Sequence, residues 1–332
     1  MPLLDGADPG ALREAARHLA DGELLAFPTE TVYGLGARAD DDRAVARIFA
    51  AKGRPADHPL IVHLADASAA PAFAAAWPER ARRLAEAFWP GPLTVIVPRR
   101  AGVGAAAAGG QDTIGLRCPA HPVAHALLAE AQRLGVPGVA GPSANRFGRI
   151  SPTSAAHVAA EFEPGLWVLD GGACGVGIES AIVDCSRDRA VLLRPGTLTR
   201  ARIEAALGGE RLAAPDAAAP RASGTLEAHY APRAKVRMMD GAQLRAALAV
   251  LGPVASGARP AVAVYSRTAG PLPAGVPGRV MPADAAAAAQ ALFATLRELD
   301  ATGAPLIWIE HPPAEPAWEG VRDRLQRAAA AG

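Results

Sequence analysis

Short apolar runs and amphipathic helical stretches alternate along almost the whole chain, and that alternation leaves few folds open. "PGALREAARHLADG" reads as a helix that starts at Pro9 and stops at Gly22, with "ELLAF" following as a strand. Next come the helix "DRAVARIFAAKG", the strand "LIVHL", the helix "PERARRLAEAFW" and the strand "LTVIVP". "TIGLRCP" and "GVAG" then flank the helix "HPVAHALLAEAQRLG". A helix near 154–161 precedes three short strands, "LWVLDGG", "SAIVDCS" and "AVLLRPG", and "RARIEAALGG" closes the series as a helix. Such alternation predicts an α/β protein with helices laid against a sheet. The pattern stops at 208–225, "GGERLAAPDAAAPRASGT", where small residues and proline without a period predict a linker. Beyond it "KVRMMD", "PAVAVYS", "GRVM" and "PLIWIEH" alternate with the helices "AQLRAALAVLG", "AAAAAQALFATLRELD" and "WEGVRDRLQRAAA". That predicts a second, smaller parallel-sheet unit, and 332 residues suffice for two domains of roughly 150 residues each.

Composition narrows the function classes. A charged fraction of 20% and a net charge of +1 argue against a basic nucleic-acid coat or an acidic tail, while leaving room for a local basic pocket. Cys118, Cys174 and Cys185 show no CxxC spacing, which fits a reducing compartment without disulfides or a zinc knuckle. "MPLLDGADPG" is not a signal peptide and no long apolar run spans a membrane, so a soluble, cytoplasmic protein is expected.

Among 34 lysine and arginine residues only Lys52 and Lys235 are lysine, so an ammonium at Lys52 stands out in a chain that otherwise uses arginine. An ammonium is a compact point charge and a guanidinium a bidentate fork. Lys52, on the last turn of a helix ended by Gly53 and Pro55, lies near Arg54 and His58, a set suited to phosphate; His63 reads equally as a core histidine. "FPTETVYGLG" leaves a strand as a loop carrying Thr29, Glu30, Thr31 and Tyr33. "VAGPSANRFGRISPT" offers Ser143, Asn145, Ser151 and Thr153, with Gly148 permitting close backbone approach. That turn reads both as an anion-binding nest and as a helix start capped by Ser151 or Thr153. "DGGACGVGIESAIVD" and "LLRPG" add Ser180 at a strand start and Arg194 at a strand end. No Walker or dinucleotide fingerprint, catalytic triad or zinc signature is present. Cations, hydroxyls and amides with few acids suit a site that holds a polyanion, and no general base stands out.

Together "PTETVYGLG", "AKGRPADHPL", "FWPGPLTVIV", "TIGLRCPAHP", "GPSANRFGRISPT", "DGGACGVGIESAIVD", "LLRPG" and "HYAP" resemble the YrdC/Sua5 family in order and spacing, in its two-domain Sua5 form. The resemblance implies a YrdC-like catalytic domain over 8–207, a linker over 208–233 and a Sua5 C-terminal domain over 234–332. It implies a twisted open α/β fold with a large concave cavity in the first domain and a Rossmann-like second domain. The activity implied is L-threonylcarbamoyladenylate synthesis from L-threonine, bicarbonate and ATP, with Mg2+ arriving on ATP and no metal held by the protein. The product would pass to the threonylcarbamoyl transferase complex that modifies adenosine 37 of tRNA; direct tRNA binding is left open. By family position Lys52 and Arg54 are catalytic and, with His58, Thr113, Ser143, Asn145, Ser151, Arg194 and Tyr230, contact ATP. Thr31, His63, Arg117 and Ser180 fall where the family holds threonine, with Arg117 the expected fork for its carboxylate. Leu226 and Ala228 stand where many relatives are basic, and Phe147 and Ala181 where they often carry hydroxyls. The alternatives are an RNA-binding regulatory or maturation factor, which the low net charge and missing aromatic–basic stripe disfavour, and a carbamoyl-phosphate-using transferase, whose acylphosphatase and zinc segments are missing.

Overall fold

Polar caps place the helices. In the computed structural model, which describes residues 1–255 and 257–331, the Asp8 carboxylate accepts from the Gly10 and Ala11 amides at the head of α1 (Pro9–Ala20). Asp41 does the same through Arg43 and Ala44 for α2 (Asp42–Lys52). Gly53, at φ 63°, ends α2 in the left-handed conformation that glycine adopts without strain, so the helix stops with Lys52 in its last turn.

The chain divides into two units. The first comprises Met1–Phe147 and Ser151–Thr225; the second comprises Leu226 to the C-terminus with the short segment Gly148–Ile150. In the first unit the strands are β1 (Leu3–Asp5), β2 (Leu25–Phe27), β3 (Gly34–Arg38), β4 (Ile61–His63), β5 (Leu93–Pro98), β6 (Thr113–Arg117), β7 (Val139–Ala140), β8 (Trp167–Asp170), β9 (Ala181–Asp184) and β10 (Val191–Arg194). They form one ten-stranded mixed sheet in the order β1-β8-β2-β3-β7-β4-β6-β5-β9-β10. Helices α3 (Glu79–Phe88), α4 (Pro122–Arg133), α5 (Ala155–Ala159) and α6 (Arg200–Ala206) complete the unit with α1 and α2. Phe73, Leu84, Val95, Leu116 and Ile48 are among the side chains that bury the main core.

The second unit is a parallel sheet of β11 (Lys235–Met239), β12 (Val262–Ser266), β13 (Gly278–Val280) and β14 (Leu306–Glu310) in the order β11-β14-β12-β13. Its helices are α7 (Gly241–Ala249), α8 (Ala285–Ala301) and α9 (Glu319–Ala329). The loop segment Gly148–Ile150 joins this unit through a parallel bridge between Arg149 and Ala231 and an ion pair of Arg149 with Asp300 at 3.8 Å.

Three sequence expectations change. The "GLG" of the "YGLG" stretch opens strand β3, not a loop, and pairs antiparallel with β2 so that Gly34 faces Phe27 and Gly36 faces Leu25. Glycine is used there because the Phe27 ring lies over the strand. A Cβ at Gly36 would stand 2.9 Å from both Phe27 Cε1 and Val139 Cγ1. Gly36→Val is therefore expected to destabilise the first unit by about 1–3 kcal/mol through overpacking, read by urea unfolding; unchanged stability would mean that the ring moves aside freely. The short strand β1, paired in parallel with β8, is a second difference, because "LLD" is too brief to show a period. The third is the 208–225 stretch, which belongs to the first unit and packs on its sheet. Ala213, Ala219 and Ala222 cover Ile61, Ile96, Ile182, Val191 and Leu193. The Arg221 amide donates to Gln111 Oε1 (2.8 Å), and Gln111 Nε2 donates back to the Arg221 carbonyl (3.2 Å). Alanines carry no period, yet they let this backbone lie close on an apolar face.

Candidate active site

The predicted loops converge in the first unit because backbone bonds stitch them together. The Leu35 amide donates to the Pro142 carbonyl, the Ala144 amide to Tyr33, and the Tyr33 amide to Pro152. "PTETVYG" thus lies against "GPSANRFGRISP". Lys52 locks the second of these. Its Nζ donates to the Ser143 carbonyl at 2.5 Å and to the Asn145 carbonyl, while its own carbonyl accepts from the Phe147 amide at 2.9 Å. Lys52 is buried, and that burial holds its ammonium pKa well below the ordinary lysine value; Arg54 adds to the effect and Glu161 opposes it. With three N–H donors and two committed to carbonyls, one remains for an incoming anion.

Arg54 lies beside this turn. Its Nη2 donates to the Pro59 carbonyl at 3.0 Å and its guanidinium covers the Phe147 ring at 5.5 Å. His58 meets the same ring edge-on at 5.4 Å, and desolvation followed by the Arg54 charge lowers its pKa. Phe147 thus places an aromatic ring between an arginine and a histidine. Asn145 is buried and its Nδ2 donates to the Arg146 carbonyl at 2.7 Å.

Arg117 ends β6 in register with His63 at the end of β4. Its Nε donates to the Gly91 carbonyl (3.2 Å), its Nη1 to Thr31 Oγ1 (2.8 Å), and its Nη2 stands 2.8 Å from Glu30 Oε1. Thr31 is held in turn by Thr29, whose hydroxyl lies 2.8 Å from Thr31 Oγ1 and donates to the Val32 carbonyl at 2.6 Å. Burial pushes His63 down to about 3, with Arg117 as the second cause. The unfolded chain takes up this proton near 6.5, so it binds more protons than the fold between about 3 and 6.5. Stability is full above that window and falls as pH drops through it, by up to about 1.4 kcal/mol per pH unit. His63→Gln is expected to remove that part of the acid slope in urea unfolding between about pH 4 and 6; identical slopes would place the imidazole in contact with water.

Ser180, just ahead of β9, has its hydroxyl 2.9 Å from Thr94 Oγ1 and accepts from Arg194 Nη2 at 3.2 Å. Arg194 also donates to the Ser180 carbonyl (3.0 Å) and the Ser223 carbonyl (2.8 Å). Thr113 opens β6 and lines a small cleft with Thr94, Ile61, Ile182, Ala222 and Ser223. Ser151 donates to Glu179 Oε1 at 2.5 Å, so it is not the helix cap expected; Ser154 caps α5 by accepting from the His157 amide. Pro152 and Thr153 separate the two serines, and the cap falls three residues beyond Ser151 and one beyond Thr153. Tyr230 belongs to the second unit, at φ 61°, with its ring 5.4 Å from Phe293 and under the Arg324 guanidinium at 5.4 Å.

Thr94, Glu179 and the Gly91 carbonyl enter the site beyond the residues named from the sequence, and Glu30, named there only as part of the "PTE" loop without a role, joins them. Thr94 sits at a period-2 position of an apolar strand and the others act through loop geometry, so only the "PTE" and "IES" acids carried a signal. Among the described residues no group of three or more histidine, cysteine or carboxylate side chains is placed to hold a metal, and no helix is long and apolar enough to cross a membrane.

Comparison with known proteins covers nearly the whole chain. The Sua5/YciO/YrdC family profile, described as "Telomere recombination", matches residues 17–196. A profile described as "Threonylcarbamoyl-AMP synthase, C-terminal domain" matches residues 198–330. The threonylcarbamoyl-AMP synthase of Pyrococcus abyssi is 45% identical over 237 residues, 69% of this chain and 68% of that protein. The threonylcarbamoyl-AMP synthase of Bacillus subtilis is 42% identical over 239 residues, 70% of this chain and 68% of that protein. The crystal structure of P. abyssi Sua5 complexed with L-threonine superposes with a TM-score of 0.88 at 36% identity, covering 99% of this chain and 97% of that one.

Proposed function

The chain belongs to the Sua5/YciO/YrdC family in its two-domain Sua5 form and has threonylcarbamoyl-AMP synthase activity; we propose that it performs this reaction on L-threonine, bicarbonate and ATP with the residues gathered in the first unit. The observation that carries the reading is the burial of four cations, Lys52, Arg54, Arg117 and Arg194, around hydroxyl-rich loops in one unit. Three of the four are arginines, which do not give up a proton in a protein, and buried positive charge held by fixed carbonyls is suited to triphosphate and carboxylate.

Threonine's amine attacks the carbon of bicarbonate, and the bicarbonate hydroxyl leaves with an amine proton as water, to give a carbamate. A carbamate oxygen then attacks the α-phosphorus of ATP, and pyrophosphate leaves. Lys52, Arg54 and Arg194 would neutralise charge on the phosphates, so that catalysis consists mainly of positioning and charge stabilisation. Asn145 and Ser143, fixed by Lys52, would present the turn to the nucleotide, with His58, Thr113 and Ser151 at its edges. Thr31, His63, Arg117 and Ser180 would hold threonine. Mg2+ would enter on ATP, whose phosphate oxygens are the hard ligands it prefers. We read the first unit as framing a concave cavity and the second as Rossmann-like. The product would feed the threonylcarbamoyl transferase step on tRNA.

The test is pyrophosphate release from ATP by the purified full-length chain, with L-threonine and bicarbonate each omitted in turn. Release that needs both is expected. Release that needs neither would replace this reading with another ATP-dependent reaction, and steeply salt-dependent RNA binding without release would favour a binding role.

A further inference from the structure

Glu30 is a buried carboxylate to which nothing donates. Both oxygens are shielded from solvent and neither accepts a hydrogen bond, and among the described residues it is the one buried acid in that condition. The other acids of the neighbouring loops are engaged: Asp170 accepts from the Tyr33 hydroxyl at 2.9 Å, and Glu179 from Ser151 at 2.5 Å. Among the described residues, Arg117 is the one cation in an ion pair with Glu30. Nη2 lies 2.8 Å from Oε1, but its N–H bonds do not point along that line, so the pair is held by charge and Nη2 also lacks an aligned acceptor. Acceptors without donors and a donor without an acceptor, oppositely charged and adjacent, are an uncommon arrangement in a folded interior.

Hydrogen bonds anchor the backbone on both sides of Glu30. The Glu30 carbonyl accepts from the Val176 amide at 2.7 Å. Thr29 Oγ1 closes the turn around it by accepting from the Thr31 and Val32 amides at 3.2 Å each. The unsatisfied groups are therefore built in, and a molecule that satisfies both must bring acceptors for Nη2 and donors for Glu30. An α-amino acid zwitterion brings both on neighbouring atoms.

We propose that Glu30 receives the α-ammonium of the amino-acid substrate and accepts the proton that its nitrogen must lose before it attacks carbon. This rests on the synthase reading. The ammonium N–H bond breaks, its electron pair stays on nitrogen, and the proton forms an O–H bond on Glu30. The nitrogen pair then makes the N–C bond to the carbon of bicarbonate, whose hydroxyl leaves with a second N–H proton as water, giving the carbamate. Arg117 keeps the carboxylate end of the substrate on its other side, so the two residues fix which end of the zwitterion faces the bicarbonate.

Deleting the ammonium from the ligand separates this role from a structural one. Binding of L-threonine and of 3-hydroxybutyrate, which lacks only the amino group, is measured calorimetrically on full-length wild type and on Glu30→Gln. Wild type is expected to prefer threonine by about a hundredfold, the scale of one charge-assisted contact. Glu30→Gln is expected to lose that preference by weakening threonine alone, and to release pyrophosphate at least about tenfold more slowly at saturating threonine. Equal weakening of both ligands would make Glu30 a structural residue and overturn the proposal, as would unchanged threonine binding or undiminished turnover. Should Glu30→Gln fail to fold, wild type decides: threonine binding no tighter than 3-hydroxybutyrate overturns the assignment and a large preference supports it. Wild type that binds threonine with this preference but releases no pyrophosphate would instead fail the synthase reading.

Discussion

Lys52→Arg lowers threonine-dependent pyrophosphate release about a hundredfold, as far as Lys52→Ala does, although it keeps the charge. Charge alone predicts partial rescue by arginine. Geometry predicts none, because Nζ converges on the Ser143 and Asn145 carbonyls inside a buried turn. An ammonium directs three N–H bonds from one atom, two to those carbonyls and one outward. A guanidinium is longer and planar and spreads its donors in a fork, so it cannot meet both carbonyls and still face the same point. Alanine fails differently: it leaves two carbonyls without a donor, at about 1–3 kcal/mol for each that stays dry, and lets the 143–147 turn relax. The measurement is turnover with ATP affinity alongside for wild type and both variants. Near-wild-type turnover in Lys52→Arg would show that positive charge suffices and that the turn does not depend on a point donor.

The same residue shows how far the chain could be read from its letters. A lysine retained among arginines marked a place where geometry mattered, and the loops around it were visible because threonine, serine, asparagine and glycine interrupt apolar periods. What a sequence does not show is which partner a buried group has chosen. Lys52 and Arg194 were expected to face phosphate, and each also holds backbone carbonyls that only the folded turn brings within reach. Ser151 looked like a cap and is instead a donor to Glu179, because a cap is decided by φ and ψ around Pro152 and Ser154 rather than by residue type. Strand β3 was hidden by Gly34 and Gly36, whose lack of side chains reads as a turn until the Phe27 ring is placed over them. The alanine-rich stretch over Ile61 and Ile182 was hidden for a related reason: small side chains carry no period, and packing on a sheet face needs none.

Arg117→Met is expected to reduce threonine-dependent turnover at least about a hundredfold and to destabilise the first unit by about 3–5 kcal/mol, the cost of leaving one member of a buried ion pair alone. Side-chain exposures of 4% for Arg117 and 13% for Glu30 put the pair in the range where that penalty applies rather than the small value of a surface pair. The guanidinium also supplies the donors for the Gly91 carbonyl and Thr31 Oγ1, so its loss frees both the loop before β5 and the "PTE" turn. Adding Glu30→Gln to Arg117→Met removes the uncompensated charge. Stability should then return to within about 1–2 kcal/mol of wild type, because replacing both members of a buried pair is often near neutral. Activity should not return, since neither end of the amino acid finds its counter-charge. Urea unfolding and pyrophosphate release on wild type, each single variant and the double variant measure the two quantities separately. If the double variant is no more stable than Arg117→Met, the Glu30 carboxylate is not paying a charge penalty in the single variant, and the pair is held by packing instead. If stability and turnover return together, the pair maintains the fold and leaves recognition of the substrate to other residues.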